Sequence, residues 1–220
     1  VVRAKTASKI AENKIPRPYT LPFKVPPVID GRGGEAITIT QRMANTVILP
    51  GVQTPIFGYD GIAPGPTILA RRGVPLDVTV RNELPAKHPQ WGYEAWTSVH
   101  LHGSASKPQF DGYASDITRV GQVKTYTFPN NQESRTLWYH DHGVHHTAEN
   151  AYMGLAAQYH LVDEQLERDL GIPRYDRAKV GTTRPQYEFP LIISDVMFAR
   201  NGQLMWDDDG ESGVYGDVIL

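Results

Sequence analysis

The 220-residue sequence contains no cysteine. That absence excludes disulfides, zinc fingers, iron–sulfur clusters, thiol nucleophiles and any copper–thiolate centre within it. Long apolar runs are also missing. None approaches the roughly 18 residues that a membrane span requires, so no membrane partner is expected. The opening stretch VVRAKTASKIAENK has no apolar core and does not read as a secretory signal, which makes a cytoplasmic location the expectation. Charge of one sign is lacking too. Lys and Arg total 22 against 24 Asp and Glu, for a net charge of −2, so no basic field recruits nucleic acid. With 40% hydrophobic and 21% charged residues, the chain is neither a disordered tail nor a coiled coil.

Glycine (20) and proline (17) are plentiful, which favours turn-rich β structure over long helices. Residues 1–34 read as an N-terminal arm. It begins with a short basic helix over residues 1–14, and Pro16, Pro18, Pro22, Pro26 and Pro27 then force an extended course. Short strands with turn signals follow. They are expected at Glu35–Gln41, Asn45–Leu49, Thr67–Arg71, Pro75–Arg81, Thr97–His102, Val123–Phe128, Thr136–His142 and Leu155–Val162. In Pro75–Arg81, Leu76, Val78 and Val80 share one face. This spacing predicts an all-β fold, an antiparallel sandwich or barrel, over residues 35–163. Asp163–Leu170 reads as a helical turn ended by Gly171. Residues 164–187, with the polar run Arg174–Gln186, read as a linker. Residues 188–220 read as the start of a second domain, with strands at Phe189–Asp195 and within Val214–Leu220. About 30 residues cannot complete a domain, so the remainder is expected on the same or another polypeptide.

Four of the eight histidines fall in two H-x-H pairs, His100-Leu101-His102 and His140-Asp141-His142. Both sit in β-type sequence. Side chains alternate along a strand, so each pair projects both imidazoles from one face, about 6.5–7 Å apart. Val99 and Leu101 then point into a core. Two such pairs on neighbouring strands place four imidazoles on one patch, a ligand set suited to copper, zinc, iron or nickel rather than magnesium or calcium. A zinc hydrolase and a non-catalytic copper-binding subunit both remain open on this reading of the residues.

The surrounding words are more specific. Residues 57–69 read FGYDGIAPGPTIL, residues 99–112 VHLHGSASKPQFDG and residues 137–155 LWYHDHGVHHTAENAYMGL. In this order they resemble the N-terminal half of a multicopper oxidase, in the branch that holds spore-coat laccase, bilirubin oxidase and phenoxazinone synthase (o-aminophenol oxidase). HHTAENAYMG and the absence of cysteine resemble the phenoxazinone synthase group most. The resemblance implies a cupredoxin-like Greek-key β-sandwich and a trinuclear copper cluster shared with C-terminal cupredoxin domains. His100 would bind the type 2 copper, and His102, His140 and His142 the type 3 pair. The type 1 copper would lie outside this chain. Dioxygen and a small phenolic or aminophenolic reductant are the implied substrates, and an oligomer is compatible with the sequence.

Asp111, nine residues after His102 in the turn Phe110-Asp111-Gly112, matches an acid near the cluster in that branch. Reduction of dioxygen consumes protons, so Asp111 is the candidate proton relay. Asp116 is read as structural. Asp141 points away from its flanking histidines and is expected to bond within the scaffold. Trp138 and Tyr139 read as core aromatics, His88 and His160 as packed or exposed, and His145 and His146 as non-ligands.

Overall fold

The structure, a computed structural model, describes residues 8–172, 188–207 and 214–220. Two sheets face each other. The first runs β1 (Val28–Asp30), β4 (Thr67–Arg71), β9 (Ala156–Val162), β8 (Arg135–Asp141) and β6 (Val99–His102). The second runs β3 (Thr54–Tyr59), β2 (Ile37–Thr46), β5 (Leu76–Asn82) and β7 (Val123–Phe128). This is the expected all-β sandwich. The pairing differs from the expectation in one respect: β1 with β4, β4 with β9 and β2 with β5 are parallel, so both sheets are mixed. Parallel pairing joins strands distant in sequence, and local turn signals carry no trace of it.

Strict alternation builds the core. Leu76, Val78 and Val80 of β5 are buried, as are Ala157, Tyr159 and Leu161 of β9. Val99 and Leu101 of β6 point inward as expected. Each such large apolar side chain contributes about 1.5–3 kcal/mol by leaving water. Across the interlayer, Tyr59 meets Tyr139 with ring centroids 4.8 Å apart. The Tyr126 hydroxyl on β7 accepts the Val99 N–H at 2.9 Å, which ties the edge strand β6 to the opposite sheet.

Several boundaries move. The strand signals at Glu35–Gln41 and Asn45–Leu49 merge into the single strand β2, which ends at Thr46 and leaves residues 47–49 outside it. Strand β3 lies outside the strands the sequence predicts, because Pro55 and Gly58 interrupt its pattern. It lies at a sheet edge, where proline is tolerated. A Cβ on Gly58 would collide with the Ile62 backbone, so the tight return after β3 needs glycine there. The arm is not wholly outside the domain, because β1 adds an edge to the first sheet. Residues 12–14 form only a 3-10 turn, and residues 1–7 lie outside the described residues.

The turn after β9 is the helix α2 (Glu164–Leu170). It is capped by the Asp163 carboxylate, which accepts the Gln165 and Leu166 N–H groups, and it ends at Gly171 with φ +65°. It takes up the first part of the expected linker. The polar run Arg174–Gln186 lies outside the described residues. Beyond it, β10 (Asp195–Val196) pairs with β11 (Val218–Ile219). Both strands are shorter than the sequence predicted, and Phe189, Leu191 and Ile193 are exposed. No helix among the described residues is long and apolar enough to cross a membrane. A second helix, α1 (Thr147–Tyr152), packs behind β8.

Candidate metal centre

β6 and β8 are antiparallel neighbours, and His100 stands directly opposite His140. The two-residue period then puts His100, His102, His140 and His142 on one face. His100 lies 5.5 Å from His102, 5.5 Å from His140 and 5.4 Å from His142 between ring centroids. His140 lies 5.6 Å from His102 and 5.9 Å from His142. The ligand nitrogens of His100, His102 and His140 all fall within 4.8 Å of one another. His142 adjoins this trio, and its Nδ1 is buried with no hydrogen-bond partner.

The backbone selects the ring atoms on offer. His100 Nδ1 donates to the Asp111 carbonyl. His140 Nδ1 donates to the Asp141 carbonyl at 2.7 Å. Each bond leaves an Nε2 lone pair free for a metal. His140 Nε2 faces His102 Nδ1 at 3.4 Å. Burial lowers the His140 pKa to about 4, and the neighbouring imidazoles push the same way, so the ring is neutral at pH 7. Three imidazoles whose ligand nitrogens lie this close together, with an orphaned nitrogen beside them, fit copper ligation.

Trp138 belongs to this patch rather than to the core. Sharing the period of His140, it is 39% exposed and stacks on His140 at 4.0 Å and on His102 at 5.1 Å. Tyr139, on the other face, is the core aromatic, and its hydroxyl donates to the Pro66 carbonyl at 2.5 Å. Asp141 is fully buried on that inner face. Burial raises its pKa to about 7 against the pull of its hydrogen bonds from Asn150, Ser98 and Gly143.

Asp111 closes the 3-10 turn Pro108–Phe110. Its carboxylate Oδ1 lies 3.6 Å from His100 Nδ1 and its side chain is 44% exposed. It lines an open depression of about 400 Å³ with Ser106, Gln109, Tyr113 and Asp116. Gly112, at φ +72°, lets this turn lie against β6, because a Cβ there would strike the Val99 carbonyl. Asp116 pairs with Lys124.

The remaining histidines stand apart. His88 is buried and stacks on Trp91 at 4.2 Å. His145 is exposed, and His146 stacks on Tyr93 at 4.2 Å. His160 bonds Glu188 at 2.9 Å.

Two facing sheets of this topology, with paired H-x-H strands at one edge, define a cupredoxin-like domain bearing a patch of four imidazoles. Residues 40–165 match the multicopper oxidase family. The chain is 36% identical over 212 residues to bilirubin oxidase of Albifimbria verrucaria, covering 91% of this chain and 34% of that protein. It is 34% identical over 172 residues to a laccase of Bacillus stratosphericus, covering 70% and 32% respectively. A multi-copper oxidase crystal structure from Pediococcus acidilactici superposes with a TM-score of 0.73 at 28% identity, over 94% of this chain and 41% of that one. This chain belongs to the multicopper oxidase family. It spans about a third of the length of the curated relatives it matches.

Proposed function

We propose that the chain supplies four imidazoles of a trinuclear copper cluster in an oxidase that couples one-electron oxidation of o-aminophenols or phenols to reduction of dioxygen to water. The observation that carries this reading is the opposed pair of H-x-H strands, His100 facing His140, with ring centroids 5.4–5.9 Å apart. His100 would hold the type 2 copper, and His102, His140 and His142 the type 3 pair. The remaining cluster ligands and the type 1 copper would come from C-terminal cupredoxin domains on the same or another polypeptide. When bound, the cluster supplies the four electrons that dioxygen accepts. The chain's own residues hold and deliver. The Asp111 and Asp141 carbonyls fix the His100 and His140 rings, and the half-exposed Asp111 carboxylate passes protons inward from solvent. Trp138 covers two of the imidazoles from the side.

The o-aminophenol preference rests on the HHTAENAYMG resemblance. A laccase or bilirubin oxidase activity is the second reading, favoured by the names of the relatives above. Metal analysis and oxygen uptake of the full-length protein test these readings, with an o-aminophenol, a simple phenol and bilirubin as reductants. Fastest oxygen uptake with the o-aminophenol supports the first. Copper bound without oxygen uptake would mean a non-catalytic subunit, and zinc in place of copper overturns the proposal.

A further inference from the structure

The segment Val144–Leu155 supplies no ligand, yet it packs directly behind the ligand strand. Asp141 joins the two. Its Oδ1 accepts the Ser98 N–H at 2.7 Å and the Gly143 N–H at 3.1 Å. Its Oδ2 accepts Asn150 Nδ2 at 2.9 Å. Asn150 is itself fully buried. The same Nδ2 reaches the Trp96 carbonyl at 3.3 Å, and its Oδ1 accepts the Tyr93 hydroxyl at 2.7 Å. The backbone repeats the connection. Asn150 N–H donates to the His146 carbonyl, Leu155 N–H donates to the Asn150 carbonyl, and Asp141 N–H donates to the Leu155 carbonyl. Opposite, His142 N–H donates to the Ser98 carbonyl at 2.7 Å. One carboxylate thus grips the chain two residues before His100 and immediately after His142.

We propose that Asn150, held by Tyr93, is a positioning residue for the metal ligands: through Asp141 it fixes the backbone that aims His100, His140 and His142. The inference rests on the copper reading above. The reason is one of orientation. A carboxylate can rotate, and the two N–H groups on Oδ1 define one edge of it only. The amide on Oδ2 defines the other, and the acceptor-only Trp96 carbonyl and Asp141 carboxylate require the Nδ2 end of the Asn150 amide, leaving its Oδ1 to the Tyr93 hydroxyl. The six-residue helix α1 is too short to be stable alone, so this buried network and its packing hold it. Polar groups behind metal ligands are typically worth about 10–100-fold in metal affinity.

The test uses the full-length protein. Asn150→Asp sets two carboxylates face to face, and the exchange Asp141→Asn with Asn150→Asp restores a carboxylate–amide pair in the opposite sense. The single variant is expected to bind copper about 10–100-fold more weakly, with a changed electron paramagnetic resonance spectrum and shifted His140 and His142 ring signals in NMR of the metal-free protein. The exchange variant is expected to recover most of each, and Tyr93→Phe to fall between. Wild-type copper affinity, spectrum and ring signals in folded Asn150→Asp would make Asn150 a scaffold contact only and overturn the inference. So would failure of the exchange variant to recover. If the wild-type protein binds no copper, the copper reading itself falls, and this inference with it.

Discussion

Neutral His140 is ready to accept a metal at pH 7, because burial holds its pKa near 4. In the full-length enzyme, His140→Ala or His102→Ala is therefore expected to abolish dioxygen reduction while leaving a type 1 copper able to accept one electron. Anaerobic stopped-flow reduction together with oxygen uptake checks this, and normal turnover in either variant removes the ligand assignment. Asp111→Asn keeps the turn and the backbone carbonyl that holds His100 but removes the titrating group. General acid–base assistance is commonly worth about 10²–10⁴-fold. Oxygen reduction should slow and its pH profile change at unchanged copper content, whereas superimposable profiles would leave Asp111 a turn residue. His88 makes a different pH prediction. Burial lowers its pKa from 6.5 to about 4, while its Nδ1 accepts the Trp91 N–H at 3.0 Å. The unfolded chain takes up this proton first as pH falls, so the stabilisation is complete above about pH 6.5 and is lost through pH 4. Urea midpoints of wild type and His88→Gln should diverge above that window and converge below it.

At the scale of strands, the period of two makes the histidine patch readable, since histidines at i and i+2 of one strand must share a face. The same period applies to Trp138, whose aromatic character favours the core but whose ring lies on the histidine face, half-exposed against His140. Strand β3 is not legible in the sequence, because Pro55 and Gly58 are breakers everywhere except at an edge and a tight return. The parallel pairs and the link from Asn150 to Asp141 join residues by contact across the fold, and no local pattern encodes them. The motif points to Asp111, yet its closest bond to His100 uses the backbone carbonyl, which residue identity does not reveal. Gly112 marks how the turn is held. Gly112→Ala adds a side chain at positive φ against the Val99 carbonyl and should cost about 1–3 kcal/mol, read as a lower denaturation midpoint. Leu101→Ala, which empties the inner face of β6, should cost about 2–5 kcal/mol.

For the whole molecule, the cysteine count carries its own prediction. The 220-residue chain alone should show no intense blue colour with excess copper, because that absorption requires a thiolate ligand. A strong thiolate-to-copper band from the isolated chain would contradict it. The register of β6 on β8, His100 opposite His140, has a further consequence. If β6 slipped by one residue, His100 and His102 would turn into the apolar interior while Val99 and Leu101 faced water. The misaligned chain would lose two of the four imidazoles from the patch and part of its core together. The histidine patch is therefore a proofreading signal for strand alignment: under the copper reading proposed above, a misaligned fraction would bind no metal at this patch and would be separable by its exposed apolar surface.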